Sequence, residues 1–121
     1  NIIKLFKGSD GFGDGEQKRD FVHIDDCIKV NLWLTKNFKS GIYNVGTGKA
    51  ESFNRVANLI KKASGNNKTQ INYVKISKNI ADNYQSYTQA NVTKIRKSGY
   101  NKPFINIQDG VLSYVKKLSQ G

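Results

Sequence analysis

The chain alternates short β-branched runs with longer segments whose apolar residues recur at helical spacing. Asn1 to Phe6 (NIIKLF) is the first such run and predicts a strand. Residues 8–18 hold four glycines and no apolar periodicity, which predicts a loop. Arg19–Ile24 alternates well enough to predict a short extended segment. Asp25 or Asp26 then offers a carboxylate to the first free N–H groups of a helix reaching about Asn37. Cys27, Ile28, Val30, Leu32, Trp33 and Leu34 cover most of that helix's circumference, and such a helix needs burial on more than one side.

Gly41–Val45 (GIYNV) predicts a further strand, with Gly46-Thr47-Gly48 as the turn after it. Ser52 is placed to cap a helix carrying Phe53, Val56, Ala57, Ile60 and Ala63, which Gly65 stops. Asn66–Thr69 is polar loop, Gln70–Ile76 predicts a strand, and 77–87 is polar and irregular. Thr88 is the candidate cap of a short helix ending at Gly99. The last predicted helix, about 106–118, carries Ile107, Val111, Tyr114, Val115 and Leu118 on one face. The order β, β, α, β, α, β, α, α is a mixed α/β pattern. Four short strands give too little sheet to cover everything apolar here. The expectation is therefore the C-terminal part of a larger α/β protein, and a first residue that is not Met agrees with it.

Composition narrows the function classes. The sequence has 121 residues, 37% hydrophobic and 24% charged, which is globular composition. One Cys (Cys27) excludes an internal disulfide, and one His beside one Cys argues against a zinc site. No apolar run approaches the roughly 20 residues of a membrane span, and residues 1–15 do not read as a signal peptide. Twenty Lys and Arg against nine Asp and Glu give a net charge of +11. That charge suits nucleic acid, an anionic small molecule in a positive cleft, or a plain solvated surface. Readers of bases and phosphates favour Arg forks, and only Arg19, Arg55 and Arg96 are present. Nucleic acid is the weakest of the three readings.

Nucleotide loops and catalytic sets fail on spacing. Gly11-x-Gly13 and Gly46-x-Gly48 each meet a glutamate, Glu16 or Glu51, where G-x-G-x-x-G needs its last glycine. Gly48-Lys49 lacks the earlier glycine of a phosphate loop, because Tyr43 stands there. The fourth residues after the six tyrosines are Thr47, Ser77, Thr88, Asn91, Phe104 and Leu118, so no Tyr-x-x-x-Lys pair exists. A nucleophile triad would have only His23 as base. No catalytic, cofactor-binding or metal residue is assigned to this chain.

What is present is a signature. Arg19-Asp20-Phe21-Val22-His23-Ile24-Asp25-Asp26, followed by Gly41-Ile42-Tyr43-Asn44-Val45-Gly46-Thr47-Gly48, resembles the C-terminal portion of the extended short-chain dehydrogenase/reductase family. Its members are mostly nucleotide-sugar epimerases and dehydratases. Lys4-Leu5-Phe6-Lys7-Gly8-Ser9, Tyr84-Gln85-Ser86-Tyr87-Thr88-Gln89-Ala90 and Gly99-Tyr100-Asn101-Lys102-Pro103-Phe104 resemble the branch acting on ADP-linked heptoses. The similarity runs from about Lys4 to Leu118.

The resemblance implies a Rossmann-type α/β fold whose N-terminal domain binds NADP and carries a Tyr/Lys catalytic pair. This chain would be the substrate-binding portion, residues 1–121, with about 26–45 packing on that absent domain. It implies transient oxidation and re-reduction of a sugar carbon, a cytoplasmic setting, a homo-oligomeric complete enzyme, and neither membrane nor nucleic acid as partner. Carried over by residue, Phe6, Lys7, Gly8 and Ser9 match the segment around the ADP moiety. Arg19 matches the arginine on the substrate pyrophosphate, and Tyr84 a tyrosine at the substrate. Two ordinary alternatives stay open: Arg19 pairing with Asp20 or Asp14, and Tyr84 merely packing in a loop. Two departures stand out. Asn83 occupies a position that is often basic, which would leave a phosphate contact missing or to Lys78, and the Gly11–Gln17 loop is long. The alternatives are another nucleotide-sugar epimerase or dehydratase, or a basic nucleic-acid module.

Overall fold

The computed structural model describes residues 1–66 and 68–120. Strand β1 (Ile2–Phe6) runs parallel to β4 (Gln70–Val74), in a register from Ile2 opposite Gln70 to Phe6 opposite Val74. A second, two-residue ladder joins β2 (Lys18–Arg19) to β3 (Glu51–Ser52) antiparallel, and Lys18 also bridges Tyr87. Among the described residues there are five helices: α1 (Ile24–Lys36), α2 (Phe53–Ser64), α3 (Lys78–Ala81), α4 (Thr93–Lys97) and α5 (Ile107–Ser119). None of the described helices is long and apolar enough to cross a membrane.

Helix α2 begins and ends where its sequence dictates. The Ser52 hydroxyl accepts from the Arg55 N–H at 3.2 Å, and Gly65 closes the helix in the left-handed region at φ 65°. Helix α5 is capped in the same way by Asn106, whose side chain accepts from the Asp109 N–H. The α2 helix packs along α5 and also meets β1. A separate core holds α1 against the C-terminal third. Val30, Ile95 and Tyr100 are fully buried there, wrapped by Trp33, Leu34, Tyr43, Val45, Val92 and Phe104. Trp33 meets Tyr100 edge to face at 5.4 Å. Burial first, and the Asp26 carboxylate second, push the Tyr100 phenol above its ordinary pKa.

Five expectations need correction. The cap of α1 is His23, whose Nδ1 accepts from the Asp25 N–H at 3.2 Å, and neither Asp25 nor Asp26 takes that part. Asp26 is drawn into the interior instead, where Oδ2 accepts from the Ile105 N–H at 2.6 Å. Gly41–Val45 is not a strand here, because neither ladder of this chain reaches it. Its Ile42 carbonyl accepts from Lys94 Nζ at 2.7 Å. Thr88 caps nothing: its N–H donates to the Lys18 carbonyl, and α4 starts only at Thr93. The irregular stretch 77–87 contains the one-turn helix α3, and β4 stops at Val74 rather than Ile76.

The α1 helix is covered on one side only. Ile24, Ile28 and Leu32, at successive helical turns, are 57%, 50% and 65% exposed. Phe38 and Ile42 beyond its end are almost fully exposed. This is the apolar excess that its sequence announced.

Candidate functional site

The end of β1 turns sharply into the glycine-rich loop. The Lys7 N–H donates to the Val74 carbonyl, and the Gly15 N–H returns to the Phe6 carbonyl at 2.9 Å. Gly8 is required by this fold-back, since a Cβ there would stand 2.3 Å from the Phe12 carbonyl oxygen. The Gly8 N–H donates to Asp14 Oδ1 at 2.8 Å. Asn54 on α2 grips the far side of the loop, donating to the Asp14 carbonyl at 2.8 Å and to the Glu16 carboxylate. Ser9 Oγ lies 2.7 Å from Ser86 Oγ, which in turn donates to Asp10 Oδ2 at 2.6 Å.

Strand β2 delivers Arg19 beside this segment. Its guanidinium carbon lies 5.2 Å from the Tyr84 ring centre and 5.9 Å from that of Phe53, and Nη1 donates to the Lys18 carbonyl at 2.8 Å. Phe6 meets the same Tyr84 ring edge to face at 5.4 Å. Phe6, Arg19 and Tyr84 are therefore one contiguous row of half-buried side chains, with Ser9 joined to it through Ser86 and Lys7 exposed at its edge. Among the described residues no carboxylate lies within 4 Å of the Arg19 guanidinium. Asp14 is engaged with the Gly8 N–H, and Asp20 is engaged elsewhere. A planar fork resting on aromatic faces, with no acid beside it, suits a phosphate or carboxylate oxygen pair.

Asp20 is the residue that spacing rules passed over. Its Oδ1 accepts from the Thr47 N–H at 2.8 Å and from the Thr47 hydroxyl at 2.6 Å. Oδ2 accepts from the Gly48 N–H at 2.8 Å and the Ala90 N–H at 3.1 Å. A Cβ on Gly46 would stand 2.7 Å from Asp20 Oδ2 and 2.6 Å from the Ala90 Cβ. The glycines of the 46–48 turn thus admit a carboxylate of the chain itself. The N–H groups that could cradle a dinucleotide pyrophosphate are already taken by an anion. This turn does not fit NAD or NADP. Gln17 and Phe53 were missed as well; only their closeness to Arg19 in the fold reveals them.

Two clefts lie apart from this row. One, of about 620 Å³, is bordered by Lys49, Arg55, Arg96 and Phe104. Its cations are partly spent, because Glu51 pairs with Arg55 at 3.2 Å and with Lys49 at 3.7 Å. The other, of about 660 Å³, is apolar and runs past Val56, Ile60, Val111 and Leu118. Among the described residues no group of three or more His, Cys, Asp and Glu could hold a metal ion.

Comparison with known proteins gives a consistent set. Residues 7–46 match the profile of the NAD dependent epimerase/dehydratase family. The chain is 42% identical over 114 residues to ADP-L-glycero-D-manno-heptose-6-epimerase of Alkalilimnicola ehrlichii, spanning 93% of this chain and 35% of that protein. The crystal structure of Helicobacter pylori ADP-L-glycero-D-manno-heptose-6-epimerase superposes with TM-score 0.77 at 30% identity, over 98% of this chain and 33% of that one. UDP-glucuronic acid 4-epimerase of Bacillus cereus, solved with UDP-glucuronic acid and NAD, gives TM-score 0.71 at 25% identity, over 95% and 35%. The chain spans about a third of the length of each of these relatives.

Proposed function

We infer that this chain, similar along most of its length to members of the NAD dependent epimerase/dehydratase family, is the substrate-side third of a nucleotide-sugar epimerase. Its substrate is ADP-D-glycero-D-manno-heptose, inverted at C6 to the L-glycero form. The observation that carries this reading is the Arg19 guanidinium, laid against Tyr84 and Phe53 with no carboxylate beside it. The 42% identity to a heptose epimerase supports the sugar and the nucleobase. Arg19 grips the pyrophosphate, Phe6 and the Lys7–Ser9 segment border the ADP, and the Tyr84 phenol donates to a phosphate or sugar oxygen. These residues bind and orient. The 46–48 turn does not fit a dinucleotide, so NADP belongs to an N-terminal domain outside this sequence, and no step of hydride transfer is assigned here.

The test is conversion of ADP-D-glycero-D-manno-heptose, followed by proton NMR, with the protein that carries this chain and NADP. Turnover is expected there, while the 121-residue chain alone should neither turn over nor bind NADP tightly. Turnover by the isolated chain would overturn the division of labour. Epimerisation of UDP-sugars but not of the ADP-heptose would move the reading to another nucleotide-sugar epimerase.

The exposed Ile24, Ile28, Leu32 and Ile42 side chains are the part of segment 26–45 and its lead-in that would pack on that domain. Left bare, apolar area of this kind drives association. The isolated chain is expected to self-associate with rising concentration in sedimentation velocity, and Leu32→Lys to reduce this. A concentration-independent monomer would count against the packing.

A further inference from the structure

We infer that Gln17 is a positioning residue of the nucleotide site, holding the Phe6–Ser9 segment in register with Arg19 and Tyr84 without itself touching ligand. The inference rests on the nucleotide reading above. Gln17 is 1% exposed, two residues before Arg19 on the same strand approach. Its Nε2 donates to the Lys7 carbonyl at 2.6 Å and to Ser9 Oγ at 3.3 Å. Ser9 then donates to Ser86 Oγ, and Ser86 to Asp10, so one carboxamide heads a chain of hydroxyls reaching the Tyr84–Ser86 segment. The backbone around Gln17 ties in the other two elements. Its carbonyl accepts from the Phe53 N–H, and the next residue, Lys18, donates its N–H to the Ser86 carbonyl and accepts from Thr88.

The side chain's own chemistry argues for this role over simple filling. Gln17 Oε1 is buried and finds no hydrogen-bond partner among the described residues, a cost that an apolar side chain of the same volume would avoid. What the amide supplies and an apolar residue cannot is a pair of donors in one plane, fixing Lys7 and Ser9 together. With the Ser9 hydroxyl and Lys7 carbonyl committed to Gln17 and Ser86, the ligand-facing groups left in the row are the Phe6 ring, the Lys7 ammonium, the Arg19 fork and the Tyr84 phenol. A binding constellation of this kind has to be held within about 0.5 Å of its productive geometry.

The experiment measures ADP affinity by calorimetry on the protein that carries this chain, for wild type, Gln17→Leu, Gln17→Glu and Arg19→Ala. Gln17→Leu is expected to weaken ADP by about tenfold, while inorganic pyrophosphate, which needs only the Arg19 end, loses much less. Gln17→Glu keeps the shape but donates nothing while ionised. Its ADP affinity relative to wild type should recover as pH falls and the carboxyl regains a proton to donate to the Lys7 carbonyl, a recovery Leu cannot show. A role in stability alone would lower the melting temperature and leave ADP affinity of the folded variants, and its pH profile, unchanged; that result overturns the proposal. Should Gln17→Leu fail to fold, the pH series of Gln17→Glu decides. Unchanged ADP affinity in Arg19→Ala would sink the nucleotide reading and this inference with it, whereas loss in Arg19→Ala without loss at Gln17 sinks the inference alone.

Discussion

Arg19→Ala, in the protein that carries this chain, is expected to weaken ADP binding by roughly tenfold to a hundredfold. A charge-assisted hydrogen-bonded contact of this kind contributes about 1.5–3 kcal/mol, and the guanidinium has no carboxylate to fall back on among the described residues. Arg19→Lys should also bind more weakly although the charge is kept, because an ammonium offers no planar fork and rests less well on Tyr84 and Phe53. NADP affinity should hardly change, since on the proposed reading the cofactor is held by the other domain. Calorimetric titration with ADP decides the matter. Equal affinities for the wild type and the Lys and Ala variants would show that Arg19 merely packs, as a surface contribution below about 1 kcal/mol would.

The competing reading of Arg19, an ion pair with Asp20 or Asp14, was open in the sequence and is closed by geometry. Adjacent residues on a strand point to opposite faces, and here Asp20 turns toward the 46–48 turn while Arg19 turns toward Tyr84. Asp14 answers the Gly8 N–H. What singled out Arg19 as a candidate in the sequence was its type and its motif. What hid Phe53 and Asp20 was that their partners lie far along the chain, where no spacing rule reaches; what hid Gln17 was the fold-back of the glycine-rich loop that returns it to Lys7 and Ser9.

Elements that depend on local chemistry were legible in the same sense. Ser52 and Gly65 bound helix α2 as a capping hydroxyl and a missing Cβ require. The failures share a different cause. Gly41–Val45 has strand composition, yet a strand exists only with a partner, and the described residues offer none. Thr88 has a capping side chain, yet its backbone is claimed by Lys18. Asp26 stands where caps stand, yet the Ile105 N–H draws it inward. Propensity was correct about the residue and silent about the competitor.

Asp20→Ala is expected to destabilise the fold by about 3 kcal/mol or more, the larger of the two effects on stability that the site allows. The substitution leaves the Thr47, Gly48 and Ala90 N–H groups without their acceptor, and each half-buried orphan costs about 1–3 kcal/mol unless water reaches it. Any water entering the space the carboxylate vacates would have to serve the four donors that its two fixed oxygens now serve. Asp20→Asn tests charge and donor pattern at constant shape. One of its ends must turn an NH₂ toward N–H donors, so most of the loss should persist. Asp14→Ala is the control: Asp14 is exposed and its side chain accepts only the Gly8 N–H, so about 1 kcal/mol or less is expected. Urea unfolding of the protein that carries the chain measures all three. Asp20→Ala as mild as Asp14→Ala would mean that the 46–48 turn holds without its internal anion, and the argument that this anion bars a dinucleotide from the turn would fall with it.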